Sequence, residues 1–388
     1  MTDVVVVGIG ADGWPGLGEA AREAVAKADV IAGSRRQLSL LPEMPADIVE
    51  WPSPLLPALR ELLASGKRVC VLASGDPMHH GIGATIAKII PSVRVIPHPS
   101  SVSLACARLG WPVESVTVVS MVGRPLSAVF APGRRFIVLS EGSGSPAAVA
   151  EALQACGYDQ SALTVLEQLG GPGERIGPIR DDLDPLNVVA VECVAADPLP
   201  IVPGLPDDAY DHDGQLTKRE IRAVVMAFLQ PNGLLWDVGG GAGSIAIEWM
   251  RADRSCRAVT VERDPERAAR IAGNAGRLGV PTLKVVTGTA PHALAALDPP
   301  DAVFIGGGLT AEGVPETCWQ ALKPGGRLVA TAVTVESETV LARWHKEKGG
   351  DLTRLSVSRA APVGGFTGWR PAMPVTIWST RKPQDFAT

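Results

Sequence analysis

The sequence predicts an α/β protein of two domains, and three observations lead to this prediction. The chain has 388 residues, more than a single domain usually holds. Short runs rich in Val, Ile and Leu alternate with helical stretches, a pattern typical of parallel βαβ units. Four prolines between Pro198 and Pro206 prevent a helix or a central strand there. We therefore expect a first domain over 1–197, a proline-rich linker over 198–208 and a second domain over 209–388.

Composition narrows the class of protein. Hydrophobic residues make up 46% of the chain and charged residues 20%, and the net charge is -5. Such a chain can bury two cores, and its charge does not favour binding to a nucleic-acid backbone. Six cysteines without a C-x-x-C pair indicate buried thiols, so we expect no disulfide framework and no metal site. Neither a signal peptide nor a membrane span is evident, which predicts a cytoplasmic protein.

The elements of the first half fall into two lobes. The predicted strands of the first lobe lie at 3–8, 30–32, 69–73, 93–96 and 116–121, and its helices at 19–28, 55–64 and 101–109. A later group of strands at 136–139, 163–166 and 188–194 predicts a second lobe.

The first glycine-rich turn follows the first predicted strand. Gly8, Gly10 and Gly13 have the spacing of a dinucleotide fingerprint. The context does not fit, because Trp14-Pro15 follows and we expect no helix to open on Gly13. Asp29 also precedes the second strand rather than ending it. A nicotinamide cofactor is therefore not expected here.

This half resembles the class III tetrapyrrole methylases. The matching segments are 8–10 with 15–17, 28–33, 73–81, 99–107, and 166–170 with 174–176. The Ala-Asp-Gly-Trp insertion before Pro15 resembles the subgroup that methylates C-5 in the corrin pathway. The resemblance implies a two-lobed fold with S-adenosyl-L-methionine (SAM) in a cleft, held mostly by backbone groups. The implied SAM contacts are Gly10, Pro15, Gly16, Gly75, Asp76, Pro77, Ser100 and Ser101. Asp76 would otherwise form only a turn, and the two serines only a helix cap.

The second half contains a more informative glycine-rich turn. Its predicted strands lie at 234–238, 257–262, 283–287, 302–305 and 328–331, and its helices at 218–229, 244–250 and 265–278. Asp237, Gly239, Gly241 and Gly243 give the spacing Asp-x-Gly-x-Gly-x-Gly between a strand and a helix. The segment resembles motif I of the class I SAM methyltransferases, which implies a Rossmann-like fold. Otherwise the glycines would only make a tight strand–helix turn.

The class I resemblance assigns a role to residues at each following strand end. Glu262 ends the second strand, where an acidic side chain accepts ribose hydroxyls. The loop after the fourth strand leaves room for a bulky substrate. The SAM contacts implied are Asp237, Gly239, Gly240, Gly241, Gly243, Glu262, Gly288, Thr289 and Ala290, with Gly306 and Gly307 beside the substrate.

A polar segment joins the two halves. Taken by itself, it predicts that Thr217 caps a helix in a capping box with Glu220, and that Lys218, Arg219 and Arg222 form a solvated face. It also resembles the His-Asp-Gly-x-x-Thr-Lys-x-Glu-x-Arg signature of the corrin-pathway C-15 methyltransferases and decarboxylases. This resemblance implies that Thr217 lies close to SAM. The candidates for proton handling are His212, Asp213 and Glu220. The candidates for binding substrate carboxylates are Lys218, Arg219, Arg222 and, near the end of the chain, Arg370. Trp369 is the candidate for covering the macrocycle, and without such roles Trp369 and Arg370 would be part of an ordinary hairpin.

Together the resemblances cover nearly the whole chain. In this order they imply a fused corrin-pathway enzyme that methylates C-5 and C-15 of a precorrin and removes CO2 from the C-12 acetate, between the precorrin-6 and precorrin-8 stages. They also imply two SAM molecules per chain, a homo-oligomer, and no nucleic-acid or membrane partner. The alternatives are a non-catalytic SAM sensor, a methyltransferase for another tetrapyrrole or for nucleic acid, and a NAD-dependent oxidoreductase, which Ser244 disfavours.

Overall fold

The computed structural model describes residues 3–384 and divides them into two compact units. The first unit comprises the chain up to Ala195, except for two short segments, Ser127–Ala131 and Ala155–Gly157. Those segments and the chain from Ala196 onward form the second unit. Both units are α/β, which confirms the predicted fold class. No helix in the described part of the chain is long and apolar enough to cross a bilayer.

The first sheet of the first unit is parallel throughout. Its strands are β1 (Val4–Ile9), β2 (Val30–Gly33), β3 (Asp47–Glu50), β4 (Val69–Ser74) and β5 (Arg94–Ile96), in the order β3-β2-β4-β1-β5. Its helices are α1 (Gly13–Gly16), α2 (Glu19–Ala26), α3 (Arg35–Leu38), α4 (Leu55–Leu63) and α5 (Ile82–Ile89). Val4 and Val6 pack into one buried cluster while Val7 and Ile9 pack into another. Burial on both faces explains the unbroken valine run of β1.

One expectation for this region is wrong. We expected no helix to open on Gly13, but Gly13–Gly16 forms the single turn α1. Proline is compatible with the first turn of a helix, because the N–H that it lacks has no partner there. The longer helix α2 begins only at Glu19, after Gly18.

The second sheet of the first unit is mixed. Its strands are β6 (Val116–Ser120), β7 (Arg135–Leu139), β8 (Ala162–Glu167), β9 (Arg175–Gly177) and β10 (Asn187–Glu192), in the order β6-β7-β10-β8-β9. Its helices are α6 (Ser101–Leu109) and α7 (Ser145–Ala155). Val102, Ala105 and Cys106 of α6 share a buried cluster with strand residues of this sheet, which places the start of α6 beside the strands.

The second unit is built on one large sheet. Its elements are α8 (Arg219–Leu229), β11 (Leu234–Val238), α9 (Ser244–Ala252), β12 (Arg257–Glu262), α10 (Pro265–Arg277), β13 (Lys284–Thr287), β14 (Ala302–Ile305), α11 (Val314–Ala321), β15 (Arg327–Ala332), α12 (Val335–Lys348), β16 (Asp351–Leu355), β17 (Ser358–Val363), β18 (Phe366–Pro371) and β19 (Val375–Arg381). The order is β13-β12-β11-β14-β15-β19-β16, with β19 antiparallel to both neighbours, and β17 and β18 form a separate hairpin. From β11 the chain adds β12 and β13 on one side of the sheet and then β14 and β15 on the other. Open α/β sheets bind ligands at such a switch point.

Candidate active sites

The first unit contains a cavity of about 430 Å³. Gly10 after β1, Gly75 after β4 and Ser101 at the start of α6 lie on its wall, as the sequence predicted for ligand contacts. Leu166 and Asn187 of the second sheet line the cavity as well. Residues of both sheets of this unit therefore line the cavity, and most of its lining is apolar.

Other predicted contacts of the first unit are absent from the residues that line this cavity: Pro15, Gly16, Asp76, Pro77 and Ser100. Asp76 Oδ1 accepts a hydrogen bond from Met78 N at 2.8 Å, which closes a turn. Ser100 Oγ accepts one from Ser103 N at 3.0 Å and caps α6. For Asp76 and Ser100 the structure therefore shows the turn and the cap that we considered as alternatives.

The glycine-rich turn of the second unit brings two loops together. Gly239 has φ +80°, and a Cβ placed on it would lie 2.6 Å from the Cα of Gly307. Gly241 has φ +57°, and its Cβ would lie 2.7 Å from the carbonyl oxygen of Gln215. Both positions therefore require glycine because the protein's own backbone approaches them. The sequence interpretation, which assigned the glycines to ligand contact, missed this structural requirement.

The carboxyl ends of four parallel strands meet at this turn. Gly288 N donates to the carbonyl of Glu262 at 2.9 Å, and Gly307 N donates to the carbonyl of Val238 at 3.1 Å. The buried carboxylate of Glu262 accepts hydrogen bonds from Gly241 N at 2.9 Å and from Asp264 N at 3.0 Å. A carboxylate has about four acceptor sites, so Glu262 retains capacity for ligand hydroxyls. The structure thus places the predicted glycines, Glu262, the 288–290 loop and Gly306-Gly307 at one edge of the sheet.

Asp237 is a positioning residue in this arrangement. Its buried Oδ2 accepts hydrogen bonds from Ala246 N at 3.3 Å and from Thr260 Oγ1 at 3.1 Å. Burial raises the pKa of the Asp237 carboxyl to about 7. The side chain therefore ties the end of β11 to the first turn of α9, and its predicted contact with SAM stays a prediction.

Replacement of Asp237 by asparagine is expected to change how stability depends on pH. Between pH 4 and 7 the unfolded chain has lost this proton while the folded chain retains it, so the carboxyl makes the folded state less stable as pH rises. Asparagine can accept the same two hydrogen bonds and does not titrate. Denaturant unfolding at several pH values should therefore show a loss of stability toward pH 7 that is smaller in Asp237→Asn than in the natural chain. Parallel curves for the two proteins would contradict the assignment.

A segment that we call the strap, residues 211–217, lies against the glycine-rich turn. Asn274 of α10 holds it: Asp211 N donates to Asn274 Oδ1 at 2.9 Å, and Asn274 Nδ2 donates to the carbonyls of Asp211 and Ala242. The sequence interpretation missed Asn274. A polar residue on the buried face of an amphipathic helix, beside Ile271 and Ala275, was the available signal.

The three candidates for proton handling differ in their surroundings. His212 Nδ1 accepts a hydrogen bond from Gly214 N at 3.0 Å. Asp213 pairs with Arg267 at 2.7 Å, and this hydrogen bond lowers the pKa of its carboxyl to about 2. Glu220 pairs with Arg359. Asp213 is therefore a poor proton carrier near neutral pH, which corrects its predicted role.

Arg222 is not available to substrate, contrary to the prediction. Its side chain is 0% exposed and donates to Glu248 Oε1 at 2.8 Å, to Asp207 Oδ1 at 2.8 Å, and to the carbonyls of Leu205 and Thr217. The predicted capping box at Thr217 is also wrong. The N-cap of α8 is Lys218, without a side-chain cap, and Arg222 donates to the carbonyl of the preceding Thr217.

The remaining predicted substrate residues stay near the surface. Lys218 lies 3.7 Å from Asp207, and Arg219 is exposed at the start of α8. Trp369, 77% exposed, and Arg370 lie on β18. Arg370 is opposite Arg359 of β17, which pairs with Glu220 of α8. Trp369 and Arg370 thus stand on a hairpin that is tied to α8.

The first unit is a two-lobed α/β fold with a largely apolar cavity. The second is a Rossmann-like fold with a glycine-rich turn and an acidic residue at the end of the next strand. Together these features define a chain of two methyltransferase folds. Family models match in the same order: the tetrapyrrole (corrin/porphyrin) methylases over residues 3–181 and a precorrin methyltransferase domain over residues 208–382. A Sinorhizobium precorrin-6Y C(5,15)-methyltransferase [decarboxylating] is 49% identical, with 98% of this chain and 96% of that protein covered. The chain belongs to this family, and it is a SAM-dependent methyltransferase.

Two shorter relatives each match one half. A probable cobalt-precorrin-6B C(15)-methyltransferase (decarboxylating) of Pyrobaculum calidifontis is 33% identical, with 45% of this chain and 94% of that protein covered. A cobalt-precorrin-7 C(5)-methyltransferase of Salmonella typhimurium is 31% identical, with 45% of this chain and 88% of that protein covered.

Proposed function

We propose that this chain methylates a precorrin at C-5 and C-15 and removes CO2 from the C-12 acetate in cobalamin biosynthesis. The first unit methylates C-5, and the second methylates C-15 and decarboxylates, each with its own SAM. The observation that carries this proposal is the presence of a separate ligand-binding arrangement in each unit. The names of the half-length relatives support the division, because one acts at C(15) with decarboxylation and the other at C(5).

Methyl transfer requires orientation more than acid–base chemistry. SAM, when bound, supplies a methyl group on a sulfonium, and the acceptor is an electron-rich ring carbon. In the first unit, Gly10, Gly75 and Ser101 would present backbone to SAM at the wall of a largely apolar cavity. In the second unit, the first turn of α9 and Glu262 hold the donor's polar groups, and Gly307 leaves the neighbouring space free of side chains. Alignment of donor and acceptor by these walls supplies the rate.

Decarboxylation needs one group that delivers a proton. The bond between the side-chain carbon and CO2 breaks, its electron pair moves into the conjugated ring system, and the side-chain carbon then takes up a proton. Of the three candidates, His212 fits this step, because an imidazole can take up a proton from solvent and pass it on near neutral pH. Arg267 and Arg359 hold Asp213 and Glu220 as ion pairs. We therefore assign the proton to His212.

The proposal predicts that the intact chain binds two molecules of SAM. Titration calorimetry on the full-length protein is expected to give a stoichiometry of two. The substitution Ser101→Trp, which adds a large side chain at the cavity wall of the first unit, should leave one site. Mass spectrometry of the product then counts added methyl groups and lost CO2. A stoichiometry of one for the natural chain would overturn the two-site proposal.

A further inference from the structure

Arg36 is a cation on the wall of the first unit's cavity, and the methyl transfer proposed above gives its charge no role. It lies on α3, which begins after the capping residue Ser34. Arg36 Nη2 donates to Ser74 Oγ at 2.7 Å, and Gln37 Nε2 donates to the same oxygen at 3.1 Å. The guanidinium is thus held at the end of β4, next to the cavity-lining Gly75.

The surroundings of Arg36 lack a counter-ion. Among residues 3–384 no carboxylate forms an ion pair with it, whereas Arg68, Arg108 and Arg175 of the same unit all pair with carboxylates. Burial lowers the pKa of the Arg36 guanidinium, and the charge of Asp184 opposes this shift without contact. An arginine remains charged in any such environment, so a partly buried guanidinium without an ion-pair partner favours an anionic ligand.

The neighbours of this charge indicate what would satisfy it. The cavity that Arg36 lines is formed mainly by apolar side chains, including Trp51, Leu55, Leu72 and Ile82, with a few neutral polar ones such as Ser140 and Asn187. A guanidinium binds a carboxylate through two parallel hydrogen bonds, and it does so most strongly where water is excluded. An apolar pocket with one such cation selects a ligand that combines a large apolar body with a carboxylate.

We propose that Arg36 binds a carboxylate of the ligand that occupies this cavity. The inference rests on the proposed function, in which the cavity holds SAM and the tetrapyrrole. Both carry a carboxylate, SAM on its methionyl end and the tetrapyrrole on its acid side chains. Arg36 is then the residue that fixes the depth or the rotation of that ligand against the reacting carbon.

The test compares Arg36→Gln with Arg35→Gln in the full-length chain. Arg35 is the exposed neighbour on the same short helix, outside the cavity lining, so its loss serves as the matched control. We expect Arg36→Gln to raise KM in C-5 methylation at least tenfold, for SAM or for the precorrin, with a smaller change in kcat. Arg36→Lys should fall between the two, because lysine keeps the charge but not the two-pronged geometry. Hydrogen exchange of peptides from the first unit at the natural rate reports that this unit is folded in each variant.

Two further measurements assign the carboxylate and separate the possible failures. If SAM supplies it, decarboxylated SAM should show the raised KM with the natural chain and no further loss with Arg36→Gln; if the precorrin supplies it, only the precorrin KM changes. Ser101→Trp, which fills the same cavity, should abolish C-5 methylation. If Ser101→Trp abolishes it while Arg36→Gln leaves both KM values unchanged, the role of Arg36 is refuted. If Ser101→Trp has no effect on C-5 methylation, the proposed function of the cavity is itself wrong.

Discussion

Gly239→Ala is expected to reduce the methylation that we assign to the second unit at least a hundredfold. The added Cβ would lie 2.6 Å from the Cα of Gly307, and backbone atoms on both sides leave no flexible side chain to move aside. The φ of +80° adds a cost of about 1 kcal/mol for any residue with a Cβ. The two loops would therefore separate at the place where SAM and substrate meet. Calorimetry should show the loss of one of two SAM sites, with C-15 methylation measured by mass spectrometry.

The control for this substitution is Gly349→Ala. Gly349 ends α12 with φ +67°, and a Cβ there meets nothing within 4 Å. With ψ -150° Gly349 lies in a backbone region that is essentially restricted to glycine, so this variant carries at least the backbone cost of Gly239→Ala without the collision, and it should bind SAM normally. If Gly349→Ala and Gly239→Ala bind SAM equally well, the close approach of the two loops does not matter for the site.

Arg222→Ala is expected to destabilise the second unit by about 3–5 kcal/mol, because removal of one partner leaves a buried charge uncompensated. Glu248 would lose its cation while still accepting from Gly204 N at 2.7 Å, Leu205 N at 3.1 Å and Tyr210 Oη at 3.0 Å. Hydrogen exchange measured by mass spectrometry should show faster exchange in β11 and α9. Peptides from the first unit should exchange at the natural rate and provide the internal reference.

Arg219→Ala is the matched control, because Arg219 is exposed on the first turn of the same helix. A surface substitution of this kind changes stability by about 0.5 kcal/mol or less. Equal exchange in Arg222→Ala and Arg219→Ala would show that the buried network contributes nothing. It would also restore the earlier interpretation of Arg222 as a surface residue of the substrate site.

Local patterns explain why much of this fold could be predicted from the sequence. The strand before Gly239 and the helix after Gly243 follow from an apolar run that ends in glycines, and β11 and α9 lie where expected. Glu262 was identifiable because it ends the next apolar run. These signals depend on neighbours within a few residues, so no knowledge of the tertiary structure was needed.

The parts of the site that the sequence did not predict depend on contacts between distant residues. No local sequence pattern distinguishes Arg222 from Arg219. Only Arg222 is buried, because it donates hydrogen bonds to Glu248, to Asp207 and to the carbonyl of Leu205. Asp213 became a fixed anion because Arg267, far along the chain, pairs with it. The cap expected at Thr217 is absent because α8 begins one residue later than predicted, with Lys218 as its N-cap.

The contacts that residues 199–205 make with the second unit also determine where this polypeptide can be divided for separate expression. Leu199 packs against the core of the second unit, Leu205 is buried within it, and Arg251 donates to the carbonyl of Pro200 at 3.2 Å. A truncated C-terminal half that starts at Tyr210 would lack these residues and expose the apolar surface that they cover. The proline-rich stretch is therefore the N-terminal end of the second unit. A division of the chain into two fragments that each fold has to precede Leu199.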